Sequence, residues 1–214
     1  KFDHHHSNAD TCAAKLVYVE VVRQIGEDEA LGRLVAVVND IDHFREVYFP
    51  NPTSDYYDFG LVSAIDGWRL MYPEDPLKIV SLGMDTLDGL YKTFQYKIAA
   101  EHQLKEKGIQ FQTKWGKAIA IETGNDETVH LAQKMGFVLA VRKDPKKGSV
   151  RIKSLPREDI DLTVLYNRLK ADEPTATWFL HASLHMVLNG SSKNPDFSPS
   201  QKTLKQVIDV IGAI

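Results

Sequence analysis

The sequence predicts a mixed α/β protein with a helical first half, a charged helical linker and a small α/β domain at the end. Two observations predict this class. Between residues 10 and 107, apolar residues recur mainly at helical spacing. After Gly108 the pattern changes to short apolar or alternating runs separated by turns, which is typical of strands mixed with short helices. At 214 residues, of which 43% are hydrophobic, the chain is long enough for one sizeable core or two small ones.

The first half is predicted to form helices with one buried face. We predict helices over residues 10–25, 29–42, 55–69 and 76–107. In the first helix, Asp10 or Thr11 is placed to cap the start and Gly26 to end it. The last is one long helix or a pair of helices, and it becomes highly charged over its final ten or so residues.

The second half is predicted to alternate strands with helices. Strands are predicted over residues 109–113, 117–122, 137–142 and 149–154, and two further short strands within 178–188. Helices are predicted over residues 127–135, 161–169 and 200–211. A strand, helix, strand and hairpin in that order indicate a small α/β domain. We therefore divide the chain into a helical part (1–96), a charged linker (97–108) and an α/β domain (109–214).

Composition excludes several classes of function. The formal net charge of −3 gives no overall field that would draw the protein onto nucleic acid. The single cysteine, Cys12, excludes an internal disulfide and a cysteine-rich zinc site, and we expect it to be a buried apolar filler. No apolar run approaches the roughly 20 residues of a membrane helix and nothing resembles a signal peptide, so we expect no membrane partner and a cytoplasmic location.

The residues most suited to metal chemistry lie at the start of the chain. Asp3-His4-His5 is followed, one helix later, by Asp40 and Asp42 at the predicted C-terminal end of the second helix. Carboxylates can bridge two divalent ions, and imidazole nitrogen suits Mn²⁺ better than Mg²⁺. Three adjacent histidines also resemble a purification tag, but the aspartate before them and the polar residues leading into a helix favour a native motif.

This pattern resembles the DHH phosphoesterases, a family that includes RecJ-type exonucleases and small oligonucleotide hydrolases. The resemblance implies that His4 ligates a metal, that His5 faces the substrate phosphate and that Asp3 supports the site from behind. It also implies that the metal-binding carboxylate that follows the signature motif in the family is Asp42 or, alternatively, Asp40. The family also takes carboxylates from motifs N-terminal to the signature, so we expect this chain to be the C-terminal part of a longer phosphoesterase domain.

The second half extends the resemblance to the DHH-associated substrate-binding domain. Seven basic residues between positions 142 and 157 are opposed only by Asp144, and within this segment Ser149 and Arg151 match the family's Ser-x-Arg strand, whose arginine reaches phosphate. His185 and Gly190 match the family's histidine-containing loop, with His181 as the alternative histidine. Asn189 and Gly190 either form an ordinary turn or present donors to a phosphate. The preceding glycines of that loop are replaced here by residues 178–184.

The resemblance implies a phosphodiesterase or phosphomonoesterase with two Mn²⁺ ions, Mg²⁺ being possible, acting on short single-stranded oligonucleotides or nucleotides. A modest basic patch suits such substrates better than long duplex DNA, whose tight binding needs many phosphate contacts. The tryptophans are expected to pack in the core or at its rim. The alternative is a non-catalytic or truncated relative that binds nucleotide or phosphate. The sequence leaves the oligomeric state open.

Overall fold

Helix α1 (Ala13–Ile25) is capped by Cys12, whose sulfur accepts a hydrogen bond from the backbone N–H of Lys15 at 3.4 Å. Cys12 is only 1% exposed, which confirms its expected burial. The predicted caps Asp10 and Thr11 are wrong. The Asp10 carboxylate is instead bound by Asn39, in the last turn of the next helix, and by Arg45, which follows that helix, so it does not cap α1.

Helix α2 (Glu29–Asp42) has the bounds that the sequence predicts. Asp28 caps it by accepting the backbone N–H of Leu31 at 2.9 Å. The two helices approach closely at Gly32, where a Cβ atom would lie 2.8 Å from the hydroxyl oxygen of Tyr18. This close approach requires glycine at that position unless the tyrosine ring shifts.

The computed structural model describes residues 2–4, 9–191, 194 and 196–214, and its chain divides into two units, Lys1–Ile98 and Ala99–Ile214. The first unit continues with a 3-10 helix (Arg45–Tyr48), α3 (Asp55–Asp58), α4 (Leu61–Met71) and most of α5 (Pro76–Lys107), whose residues from Ala99 onward belong to the second unit. The single helix predicted over residues 55–69 is therefore two helices. They are separated because Gly60, which precedes α4, has an extended backbone.

Helix α5 is one continuous helix, and its end includes the predicted charged linker. That stretch is not wholly solvated, because Ala100 and Leu104 are 0% and 3% exposed. Both side chains pack in the second unit with Ile119 and Ile121. The last turns of α5 therefore contribute to the core of that unit, while the charged side chains lie on the outer face.

The second unit is built on a six-stranded mixed sheet, which confirms the mixed α/β class. Its strands are β1 (Ile109–Thr113), β2 (Gly116–Glu122), β3 (Leu139–Lys143), β4 (Val150–Ser154), β5 (Trp178–Leu180) and β6 (Met186–Asn189), and its helices after α5 are α6 (Glu127–Lys134), α7 (Thr163–Asp172) and α8 (Leu204–Gly212). The spatial order is β1-β2-β3-β4-β6-β5. Strands β2 and β3 are parallel and joined by α6, whereas every other pair is antiparallel.

Each face of this sheet carries its own set of side chains. One face packs with α7 and α8 through alternate residues such as Val141, Ile152 and Val187. On β2 and β3 the opposite face packs with α6 and the end of α5. Since side chains alternate between faces along a strand, Arg142 and Arg151 point to this second face. Within the described part of the chain, no helix combines the length and the apolar character needed to cross a membrane.

Candidate functional site

The structure brings His4 to the C-terminal end of α2. Its Nε2 atom lies 3.1 Å from Oδ2 of Asp42, although the two residues are separated in sequence by the whole of α1 and α2. The His4 side chain is mostly buried at 19% exposed, and that of Asp42 is 39% exposed. The pair thus offers one imidazole nitrogen and one carboxylate at a partly open surface.

Asp40, the alternative carboxylate, is engaged differently. Its Oδ1 atom accepts a 2.6 Å hydrogen bond from Nη1 of Arg45. Of these two carboxylates, that of Asp42 lies beside His4. The choice of Asp42 over Asp40 as a metal ligand stays a prediction. Asp3 is exposed. His5, to which the resemblance assigns substrate phosphate, lies outside the described residues.

A polar network fixes the end of α2. Oδ1 of Asp10 accepts hydrogen bonds from Nδ2 of Asn39 at 2.8 Å and from Nη2 of Arg45 at 2.7 Å. The hydrogen bond from Asn39, followed by the hydrogen bond and the charge of Arg45, lowers the pKa of Asp10. Nδ1 of His43 lies 2.8 Å from the carbonyl oxygen of Asn39, which can only accept, so this nitrogen carries the ring proton. The network holds in place the turn that presents Asp42.

Two protein ligands are too few to hold a metal tightly. Among the described residues, which leave out 5–8, no group of three or more His, Cys, Asp and Glu side chains is placed to bind a metal ion. The His4 and Asp42 donors nevertheless have the chemistry of a Mn²⁺ site, because they combine an imidazole nitrogen with a carboxylate oxygen. Further carboxylate ligands are needed to complete a binuclear centre of the kind the resemblance implies.

A second cluster lies in the α/β unit, where two arginines meet one carboxylate. Arg142 and Arg151 are paired across β3 and β4. Nε of Arg142 and Nη1 of Arg151 lie 2.9 Å and 3.1 Å from the same atom, Oδ1 of Asp126. Asp126 directly precedes α6, which places it at the carboxyl end of β2 beside the end of β3. Crossover connections of this kind commonly place ligand-binding residues at that edge of a sheet.

Arg142 is held more rigidly than Arg151. Its side chain is 7% exposed, its Nη1 atom donates to the carbonyl oxygen of Thr123 at 3.1 Å, and the same atom lies 3.5 Å from Oδ2 of Asp144. Asp144 in turn accepts hydrogen bonds from the backbone N–H groups of the following turn. Burial acts to raise the pKa of Asp144, but these hydrogen bonds and Arg142 together lower it. The Arg151 side chain is 27% exposed and so is partly open to solvent, although its Nε atom is buried.

An apolar edge lies beside the arginines on the same face of the sheet. Arg151 is opposite Leu188 of β6, which is opposite Phe179 of β5. Phe179 is 54% exposed, whereas its neighbour Trp178 is 6% exposed and belongs to the core of the other face. The exposed aromatic of this surface is therefore a phenylalanine that sequence reasoning missed, while the expected core position of Trp178 is confirmed.

The predicted loop residues Asn189 and Gly190 have structural partners. The Asn189 side chain is fully buried, donates to the carbonyl oxygens of Thr177 and Ser198, and accepts the backbone N–H of Ser200. Gly190 has a φ of 82°. These contacts occupy the Asn189 amide. A contact between Asn189 and a substrate stays a prediction.

The remaining predicted binding residues lie at the ends of strands. Ser149 is 7% exposed and precedes β4. His181 and His185 lie in the connection between β5 and β6, not within the strands. His181 is exposed with Nδ1 2.9 Å from the Ser183 hydroxyl, and half-buried His185 has Nδ1 3.3 Å from the Ser154 hydroxyl. Their contact with substrate stays a prediction.

Arg142 and Asp126 are the functional candidates that the sequence did not single out. Arg142 is one of seven basic residues in its segment, and only the pairing of β3 with β4 distinguishes it.

Comparison of the sequence with models of known protein families gave no match, and comparison with curated proteins also gave none.

Proposed function

We propose that this chain is part of a metal-dependent phosphoesterase of the DHH type, which hydrolyses phosphate esters of short oligonucleotides or nucleotides. The observation that carries the proposal is the 3.1 Å approach of His4 to Asp42. A histidine and an aspartate that are distant in sequence lie side by side at the surface, and they would supply two of the several ligands that a two-metal hydrolase needs. A cytoplasmic location is part of the proposal, because a single cysteine suits a reducing compartment.

The residues have separate roles in this proposal. His4 and Asp42 hold Mn²⁺, with Asp3 orienting the motif and His5 contacting the substrate phosphate. When bound, the metal ions would supply an activated water and would offset the charge on the leaving oxygen. The Asp10, Asn39 and Arg45 network keeps the Asp42 turn in one position, which limits the reorganisation needed when ligands bind.

The α/β unit selects the substrate in this proposal. Arg151 supplies a cation for phosphate, with Lys153 on the same strand face. Phe179 offers an aromatic surface for a base, and its exposure is large enough for stacking. Arg151, Lys153 and Phe179 suit a nucleotide or a short single strand better than duplex DNA, whose tight binding needs many phosphate contacts.

A second candidate function is nucleotide or phosphate binding without catalysis. The convergence of Arg142 and Arg151 favours it, since two guanidinium groups can hold an anion with no metal present. The two functions differ in their requirement for Mn²⁺ and in whether a product forms.

The test is release of mononucleotide from short RNA and DNA oligomers, with and without Mn²⁺. It is run on this chain and on the longest reading frame that contains it. Hydrolysis that needs Mn²⁺ and disappears in His4→Ala supports the phosphoesterase. Binding of the oligomers with no product from either protein would favour the non-catalytic function.

A further inference from the structure

The side chains of Arg142 and Arg151 are satisfied incompletely by Asp126. Both Nε atoms are buried, and neither makes a hydrogen bond within the described part of the chain. The 2.9 Å separation of Arg142 Nε from Asp126 Oδ1 is therefore a charge contact without hydrogen-bond alignment. Buried donors are nearly always satisfied in proteins, so two such donors around one carboxylate need an explanation.

The arginine pair differs from ordinary ion pairs of this chain. Asp126 is 52% exposed, so it lies at the open side of the pair, and one of its oxygen atoms is shared by both guanidinium groups. Asp144 balances the charge of Arg142 from the buried side. Removal of the Asp126 carboxylate would leave Arg151 as the excess cation, facing solvent.

The first turn of α6 does not itself supply the anion site. The backbone N–H groups of Glu127 and Thr128 are already bonded to Asn125, and that of Val129 is bonded to Asp126. Among the described residues around Asp126, the donors that face its carboxylate are those of the two guanidinium groups. A phosphate group has three terminal oxygens and can accept more of these donors than a carboxylate that offers one oxygen to both.

We infer that Asp126 occupies the position of a substrate phosphate, and that a phosphate monoester displaces its carboxylate to bind between Arg142 and Arg151. This inference rests on the proposed function for the identity of the anion as a nucleotide phosphate. It adds Arg142 as a second phosphate-binding arm and Asp126 as an intramolecular competitor. Phosphate binding then requires the loop before α6 to release its aspartate.

The test measures binding of a 5′-phosphorylated dinucleotide and of the same dinucleotide with a 5′-hydroxyl, by calorimetry in EDTA. Asp126→Asn removes the competing charge and should tighten binding of the phosphorylated dinucleotide by about threefold to tenfold. It should not change binding of the hydroxyl form. Asp159→Asn is the matched control, because it removes the partner of an exposed arginine, Arg157, elsewhere in the same unit.

Arginine variants complete the test. Arg151→Gln and Arg142→Gln should each weaken binding of the phosphorylated dinucleotide by about tenfold or more. Arg142→Lys keeps the buried charge in case the glutamine variant does not fold, and it should weaken binding because lysine has no planar fork. Thermal unfolding of each variant shows whether the unit remains folded.

The inference is overturned if Asp126→Asn weakens phosphate binding or leaves it unchanged, or if neither dinucleotide binds any variant. Because metal is absent, the result is separate from that of the hydrolysis assay. Tighter binding in Asp126→Asn without hydrolysis by any form would retain the anion site and reject the phosphoesterase. Mn²⁺-dependent hydrolysis with unchanged binding in Asp126→Asn would retain the phosphoesterase and reject the anion site.

Discussion

Arg142 and Arg151 lie directly opposite each other on adjacent antiparallel strands, and both reach the same oxygen atom of Asp126. Two like charges placed opposite each other on a sheet normally destabilise it. The carboxylates of Asp126 and Asp144 offset that repulsion here. An arrangement that places two cations together and then neutralises them is suited to exchange one anion for another.

Metal binding in the helical unit is predicted to depend on His4 and Asp42. His4→Ala and Asp42→Asn each remove one donor of the pair and should weaken Mn²⁺ binding by at least about tenfold. Asp66→Asn is the control, because it removes the partner of an exposed arginine, Arg69, in the same unit. Calorimetric titration with Mn²⁺ measures the effect. An equal loss in Asp66→Asn would mean that the effect does not come from the His4 and Asp42 donors.

Gly190 is predicted to be intolerant of substitution. Its φ of 82° disfavours any side chain, and a Cβ atom would lie 2.5 Å from the ring of Phe197. Gly190→Ala should lower the free energy of unfolding by about 2–4 kcal/mol through backbone strain and overpacking. Denaturant unfolding provides the measurement.

A matched control for Gly190 is available at Gly212. Apart from its chain neighbours and the backbone of its own helix, no atom lies within 4 Å of a Cβ built there, and the residue is helical. Gly212→Ala should therefore leave the unit as stable or slightly more so. A similar loss in both variants would mean that the Phe197 contact is not the cause.

The prediction of secondary structure succeeded where hydrophobic period and turn residues agree. The bounds of α2 and β1 are those predicted, because both segments combine a clear period with a nearby breaker. The start of α1 was wrong because tertiary contacts, not local preference, decide which residue caps it: Asp10 is taken by Asn39 and Arg45. Those partners are distant in sequence.

The candidate site was predictable only in part, for the same reason. His4 and Asp42 are identifiable because metal-type residues cluster in the sequence. The Asn189-Gly190 pair has the composition of a turn, yet the Asn189 amide is buried against segments that sequence spacing does not connect. Arg142 became a candidate only through strand register, which places it opposite Arg151.

Acid stability of the helical unit is predicted to depend on Tyr91. Its hydroxyl donates to Oδ2 of Asp28, and this bond, followed by the backbone N–H of Leu31, lowers the pKa of Asp28 below its usual 3.8. A carboxyl whose pKa is lowered by folding stabilises the fold above its unfolded pKa. That stabilisation is lost as the pH falls through the folded pKa.

Tyr91→Phe removes the largest cause of the shift, so the Asp28 pKa should rise toward 3.8 and acid unfolding should begin at a higher pH. Circular dichroism between pH 6 and about pH 2 measures the midpoint, the range being set by the carboxyl pKa. Tyr56→Phe is the control, since Tyr56 is 90% exposed. An unchanged midpoint in Tyr91→Phe would show that the bond does not couple to folding.

Phe179 is predicted to contribute to the binding of a base and not of a phosphate. It lies two strands from Arg151 on the same sheet face, a span of about 10 Å at the usual strand spacing. A nucleotide can bridge that span with its phosphate at the arginine and its base at the ring. Phe179→Ala should weaken binding of a dinucleotide by about 1–3 kcal/mol, the range typical of one stacked base.

The same variant should leave binding of inorganic phosphate unchanged, because the arginine pair is intact. Phe59→Ala is the matched control, since Phe59 is 95% exposed and lies in the helical unit. Calorimetry with the dinucleotide and with inorganic phosphate separates the two contributions. If Phe179→Ala weakens both ligands equally, the phenylalanine supports the fold of this surface and does not stack on a base.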